Sequence, residues 1–341
     1  MDIDVRIETW PLANPFRITG RTYTEIELVV ATVRDGEHEG RGEAAGVDYL
    51  GETPAGIAAD IASLREAFGT GMDRARLQSL LPIGGARNAL DCALWDFEAA
   101  RSGRPAWQSA NIVAQKPCLT TWTIGADTPE VVAERAIAFA DARAIKLKLT
   151  GDGLDADRVH AVRTARPDVW LGVDGNQGFS RSTLEALIPI LVAADVALIE
   201  QPLPLDRDAD LRGLYSPIPL AADESVQGLK DVAGLSDAFS MINIKLDKCG
   251  GLTEALAMVD AARTRGLGVM VGNMLGTSLA MAPAFVIGQF CDVVDLDGPI
   301  LLQRDRAPGA IYRDGLVWCG EEIWGGGASA FATTGSLQTT N

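Results

Sequence analysis

The chain has 341 residues, 47% hydrophobic and 22% charged, with 30 Lys and Arg against 46 Asp and Glu and a formal net charge of -16. That composition is globular rather than disordered, the acidic excess argues against nucleic acid or an anionic membrane as a partner, and the length asks for two domains or one large barrel with additions. Cys92, Cys118, Cys249, Cys291 and Cys319 form no C-x-x-C pair and are odd in number, the pattern of reduced thiols. The acidic start MDIDVRIETW lacks the features of a signal peptide, and no apolar run is long enough for a membrane span. A cytoplasmic location is therefore expected.

The first part predicts antiparallel strands and then helices. DVRIETWPL and TEIELVVATVRDG alternate or are β-branched and close on turn residues, and GRGEAAG reads as the end of a third strand. A helix is expected over TPAGIAADIASLREAF, with Thr53 as N-cap and Pro54 as its first residue. A second is expected over ARNALDCALWDFEAARSG, with Leu90, Leu94 and Phe97 on one face and Gly103 at its end. Residues 1–112 thus read as an α+β module.

Beyond residue 115 short apolar runs alternate with helical segments: CLTTWTI, AIKLKL, VWLGVD, VALIE, IPLAADE, MINIKL, LGVMVGN and DVVDLD. Eight such units predict a parallel barrel over 113–302. The polar residues closing successive runs, Lys148, Asp174, Glu200, Asp223, Lys245, Asn273 and Asp295, recur at the spacing of one strand and one helix. In such a barrel the strand ends converge on one mouth, where active sites form. The tail 303–341, with IYRDGLVW as a hairpin and a Gly-rich stretch, is expected to return to the first module.

Within AIKLKL, Lys146 and Lys148 are two positions apart and so share one face of a strand. Asp174, Glu200 and Asp223 close the next three runs. Three carboxylates at one mouth repel unless a hard dication neutralises them, and Mg²⁺ suits that oxygen set. Lys148 precedes the trio and Lys245 follows it, so a closed ring sets the two amines on opposite sides of the metal. A substrate carboxylate on the metal would present its α-carbon between them. A free lysine is a poor base at neutral pH, but a nearby dication and a second ammonium lower its pKa. Proton removal on one face and return on the other inverts a stereocentre.

The motifs KLK, VDGN, IEQP, ADES and INIKLDKCGG, in this order, resemble the muconate-lactonizing-enzyme branch of the enolase superfamily. ARNALDCALWDFEAARSGRP is similar to that family's helix between capping domain and barrel. The resemblance implies an α/β fold, a (β/α)₇β TIM-like barrel under an α+β capping domain, with the tail completing the cap. It implies Lys148 and Lys245 as acid/base residues. Asp174, Glu200 and Asp223 would be ligands of one Mg²⁺ per subunit, for which Mn²⁺ substitutes, with Lys146 on the substrate carboxylate. The mandelate-racemase-like branch needs a His at the seventh strand; only His38 and His160 occur, neither near VMVGNMLGTS.

Asp295 and Asp297 in DLDGP resemble the D-x-D with which dipeptide epimerases bind the substrate α-ammonium group. PFRITGRTYTE is similar to the mobile loop of L-Ala-D/L-Glu epimerases, with Arg21, or its rival Arg17, meeting the side-chain carboxylate. GVDYLGETP would be a second lid, with Tyr49 as a cover, and Thr123 and Leu275 would contact substrate. Where some members carry an acidic residue after the seventh strand, this chain has NMLGTS with Gly276. The resemblance implies a Mg²⁺-dependent dipeptide epimerase, of the L-Ala-D/L-Glu type, that inverts the α-carbon of the C-terminal residue by two-base proton transfer through an enediolate, in an assembly that leaves a homo-oligomer open. The alternatives are an N-acylamino-acid racemase, an o-succinylbenzoate synthase or a cycloisomerase of the same branch, and a non-catalytic Mg²⁺ or ligand-binding barrel.

Overall fold

A cap of three antiparallel strands opens the chain: β1 (Asp2–Ile18), β2 (Arg21–Asp35) and β3 (His38–Ala44). The structure is a computed structural model that describes residues 1–18 and 21–327, without the side chain of Arg21. β1 and β2 pair from Asp2↔Arg34 to Ile18↔Arg21, with a register shift between Pro11 and Phe16. The bulge docks on the far end of the chain, where Leu12 bridges Leu302 and Gln303 donates its N–H to Pro11 at 2.9 Å.

Thr53 caps the first helix by accepting from Gly56, as its position before Pro54 predicts. The expected single helix breaks at Leu64, into Pro54–Ser63 and Arg65–Gly69. The second helix, Gly85–Ser102, ends on Gly103 in the left-handed region at φ 68°. Leu90, Leu94 and Phe97 are all buried, each contributing about 1.5–3 kcal/mol. β3 lies directly on this helix: a Cβ at Gly40 or Gly42 would collide with the backbone of Ala89, Ala93 or Phe97. The GRG of β3 therefore fixes how closely cap and helix approach.

The helix also grips the barrel. Asp91 accepts from the N–H of Thr253 at 2.9 Å, and Trp95 donates to Thr253 Oγ1 at 2.9 Å. A two-residue strand β4 (Cys118–Leu119) precedes the barrel, whose strands are β5 (Thr121–Ile124), β6 (Ala144–Lys148), β7 (Trp170–Asp174), β8 (Val196–Glu200), β9 (Leu220–Ala222), β10 (Met241–Ile244), β11 (Gly268–Val271) and β12 (Val293–Val294). They pair in parallel in chain order to form a nearly closed eight-stranded barrel. The run CLTTWTI is thus two strands: β4 pairs instead with β14 (Leu316–Trp318), which forms a hairpin with β13 (Ile311–Arg313). The chain then reaches the cap, where Trp324 donates to the carbonyls of Arg41 and Cys92.

Side-chain alternation divides the barrel interior into layers. Leu198, Ala221 and Met270, with Trp170, Met241 and Val293, plug its floor. One strand repeat higher, the inward positions turn polar. Among the described residues no helix is long and apolar enough to cross a membrane.

A two-pronged contact sets the cap over the barrel mouth. Ala45 and Gly46 both donate to Asp247 Oδ1 at 2.9 Å, and burial pushes the Asp247 carboxyl up to about 7. Asp247→Ala strands two main-chain donors, so a stability loss of about 2–4 kcal/mol is expected. Asp247→Asn keeps an oxygen acceptor and should stay near wild type. Urea unfolding of the two variants checks the difference; equal midpoints would remove the clamp.

Candidate active site

Register builds the site. Lys148 pairs with Asp174, and Asp174 with Glu200, in adjacent strands, so the three stand side by side on one rung. Thr123 pairs with Lys146 one rung lower. Asp223 and Lys245 follow β9 and β10 directly. All of these side chains are buried.

The carboxylates of Asp174, Glu200 and Asp223 each offer an oxygen within 4.8 Å of the others. Lys148 Nζ donates to Asp174 at 2.6 Å on one flank, and Lys245 Nζ to Asp223 at 2.6 Å on the other. Glu200 sits between, accepting from Lys146 at 3.1 Å and from Asn243 at 2.7 Å. The donor set is all oxygen, without His or Cys, as a hard dication requires. Among the described residues, buried Asn176 Oδ1, Asn243 Oδ1 and Glu224 Oε2 carry no hydrogen-bond partner. Such spare acceptors fit a cation with its hydration shell.

The electrostatics follow from this crowding. Burial pushes Glu200 up to about 7, with Asp174 adding to the effect. Burial pushes Glu224 up to about 7 as well, helped by Asp223 and Asp174. Burial opposes ionisation of Asp223 too, but Lys245 and Lys248 outweigh it and hold its carboxyl well below the usual range. For Lys245, burial works to lower the pKa and is outweighed by Asp223 and Glu200. Lys146 is likewise raised against burial, by Asp295, Glu200 and Asp174. The expected lowering by a neighbouring ammonium is thus overridden for these two lysines. Their carboxylate partners are those a cation would engage.

The Asp pair after β12 is placed differently from a free ammonium-binding pair. Asp295 accepts from Lys146 and from Thr121 Oγ1, while Thr123 Oγ1 lies 3.4 Å from it. Asp297 accepts from the Thr123 N–H at 2.5 Å. Thr123 therefore orients the pair, and Lys146 already neutralises Asp295. Asp297 is pushed up to about 6 by burial and by Asp295.

Above the mouth, Leu275 joins Trp10, Leu12, Phe16, Tyr23, Ile26, Leu28 and Leu302 in an apolar roof. Tyr49 reaches Gln227, whose amide donates to its hydroxyl at 3.1 Å. The Arg17 carbonyl accepts from Ala126 at 3.0 Å, seating the β1–β2 tip on the end of β5. The side chain of Arg21 lies outside the described residues, as do residues 19–20 and 328–341.

Sequence reasoning missed Lys248. Its ammonium is buried and donates to the Asp223 carbonyl at 2.6 Å, to Asp223 Oδ1 at 2.5 Å and to the Asn243 carbonyl at 3.0 Å. Asn243 was missed too, although it stands two before Lys245 on the same strand face.

Known proteins resemble this chain over nearly its whole length. Residues 1–109 fit the mandelate racemase/muconate lactonizing enzyme N-terminal domain, and residues 130–317 the enolase C-terminal domain-like family. The chain belongs to the enolase superfamily. The L-Ala-D/L-Glu epimerase of Escherichia coli (strain K12) is 38% identical over 90% of this chain and 96% of its own. An N-acetyl-D-glutamate racemase of Pseudoalteromonas sp. is 37% identical over 88% of this chain and 95% of its own. Among solved structures, an enolase family member from Agrobacterium tumefaciens with homology to dipeptide epimerases, bound to sodium and L-Ala-L-Glu, superposes with a TM-score of 0.92. It is 40% identical and covers 95% of this chain and 99% of its own.

Proposed function

We propose that this enolase superfamily member is a Mg²⁺-dependent dipeptide epimerase acting on L-Ala-D/L-Glu, with Mn²⁺ able to replace Mg²⁺. The observation that carries the reading is the pair of buried lysines at opposite edges of the carboxylate triad, Lys148 on Asp174 and Lys245 on Asp223. Asp174, Glu200 and Asp223 would hold the cation. When bound, it supplies positive charge beside the substrate carboxylate, which stabilises the enediolate. One lysine, neutral, takes the α-proton of the C-terminal residue onto Nζ; the other, as an ammonium, returns a proton to the opposite face. The supporting experiment is solvent deuterium exchange: with L-Ala-L-Glu and Mg²⁺, the Glu α-hydrogen should be replaced as the D epimer appears. A protein that exchanges no α-hydrogen of any dipeptide is not this enzyme.

In this reading residues 1–112, completed by the described part of the tail 303–341, form the cap and 113–302 the catalytic barrel, in a chain whose free cysteines suit the cytoplasm. Asp297, the member of its pair with no lysine on it, binds the substrate ammonium, and Arg21 reads the side-chain carboxylate. Lys146 and Leu275 flank the substrate, and Thr123 orients the Asp pair.

Asp297→Asn should raise KM for dipeptides steeply, because leaving one charge of a desolvated pair alone costs about 2–5 kcal/mol. Asp297 is raised to about 6, and only its ionised form attracts an ammonium. Wild-type kcat/KM should therefore fall as pH drops through about 6, and the variant should lose that limb. Arg21→Met should hurt L-Ala-L-Glu more than a dipeptide with an apolar C-terminal residue.

A second reading, an N-acylglutamate racemase, draws on Lys146 already neutralising Asp295 and on the 37% identical racemase. Assaying N-acetylglutamate beside L-Ala-L-Glu separates the two: preference for the acylated amino acid would reassign Asp297.

A further inference from the structure

Glu43, near the end of β3 in the cap, has a fully buried side chain. It accepts four hydrogen bonds, two from Thr277 of the barrel and two from Arg306 of the tail. The Thr277 N–H reaches Oε1 at 2.7 Å and the Thr277 hydroxyl reaches Oε2 at 2.5 Å. Arg306 adds Nε at 3.1 Å and a terminal nitrogen at 2.7 Å. Arg306 also donates to Glu8 at 2.6 Å and to Thr277 Oγ1 at 2.7 Å, and stands over the Trp10 ring at 5.0 Å.

Thr277 is the N-cap of the helix Ser278–Gly288 and lies two residues after Leu275, in the loop that leaves β11. A Cβ on Gly276 would lie 3.3 Å from Glu43 Oε1, so the carboxylate rests against the loop itself. Stability alone does not call for this: a buried ion pair can often be replaced by apolar residues without loss. What an apolar replacement cannot supply is direction. Two hydrogen bonds to one residue fix the angle of its backbone, and Arg306, with two N–H groups on Oε2, fixes the carboxylate in turn.

We infer that Glu43 is a positioning residue that sets the Leu275–Gly276 wall against the substrate side chain, making the cap a determinant of side-chain preference from outside the pocket. The inference rests on the dipeptide reading of the site. Its consequence is a loss of discrimination with the chemistry kept, because the lysines and the triad touch neither Glu43 nor Thr277.

The test compares Glu43→Gln, Thr277→Val and the conservative Thr277→Ser with wild type on L-Ala-L-Glu and L-Ala-L-Leu. Glu43→Gln should lower kcat/KM for L-Ala-L-Glu by about tenfold or more, through KM with little change in kcat. The preference between the two dipeptides should shrink. Thr277→Val should behave alike, carrying the test if Glu43→Gln does not fold, and Thr277→Ser should restore wild-type behaviour. Hydrogen exchange over residues 273–279 should quicken in the first two variants and not across the barrel strands. A kcat loss with unchanged KM, an unchanged preference, or unchanged exchange in that loop overturns the inference. Wild-type protein that turns over no dipeptide would refute the function instead, and the exchange measurement would still decide whether Glu43 holds the loop.

Discussion

Lys148→Ala and Lys245→Ala should each abolish epimerisation, lowering it by about 10³-fold or more, since a positioned acid or base contributes about 10²–10⁴ and both are needed for inversion. The two variants should nevertheless differ. A protein with one lysine can still take and return a proton on a single face, so each variant should exchange the α-hydrogen of one epimer with solvent deuterium and not the other. The structure adds a second asymmetry. Asp223 keeps the Lys248 ammonium at 2.5 Å when Lys245 is removed, whereas the ammonium left beside Asp174 when Lys148 is removed is the more distant Lys146, at 3.8 Å. Lys148→Ala should therefore disturb the triad more, visible as a larger change in Mg²⁺ affinity. Wild-type epimerisation by either variant would refute the two-base mechanism, and loss of exchange with both epimers in both variants would leave it without support.

The parts of this site that were legible in the sequence are those governed by local periodicity. Strand alternation put Lys146 and Lys148 on one face, and strand-by-strand spacing brought Asp174, Glu200 and Asp223 to one mouth. The same alternation, applied to Asn243 and Lys245, would have revealed the amide that holds Glu200. Lys248 was harder. It sits on a short turn after β10, Leu246–Cys249, where helical geometry rather than strand alternation turns its ammonium back toward Asp223. The partnership of Asp295 with Lys146 crosses the closing seam of the barrel, between β12 and β5, to reach β6, and no run of neighbouring residues encodes it. Glu43, Thr277 and Arg306 are farther apart still, and each alone reads as an ordinary strand, cap or surface residue. The break at Leu64 was lost because apolar spacing continues across it, while β4 was joined to β5 because a single apolar run covers both.

Removal of the proposed cation should abolish activity while leaving the fold intact. Three buried carboxylates at one mouth would ordinarily repel and open the barrel once stripped of a metal. Here Lys148 faces Asp174, Lys146 faces Glu200, and Lys245 and Lys248 face Asp223, so the protein carries its own neutralising charges. EDTA treatment should therefore leave circular dichroism unchanged and lower the melting temperature only by the lost binding energy, about 2.7 kcal/mol where the metal had been at a hundred times its Kd. Activity should vanish and return with Mg²⁺ or Mn²⁺. The same pairing explains why chemistry should stop: with the triad free, its negative charge holds Lys245 protonated, and an ammonium cannot accept the α-proton. Asp174→Asn, Glu200→Gln and Asp223→Asn should each weaken Mg²⁺ binding in a titration without unfolding the chain. Full turnover by metal-free protein, or unchanged Mg²⁺ affinity in all three variants, would place the metal elsewhere and leave the lysines without the charge their chemistry needs.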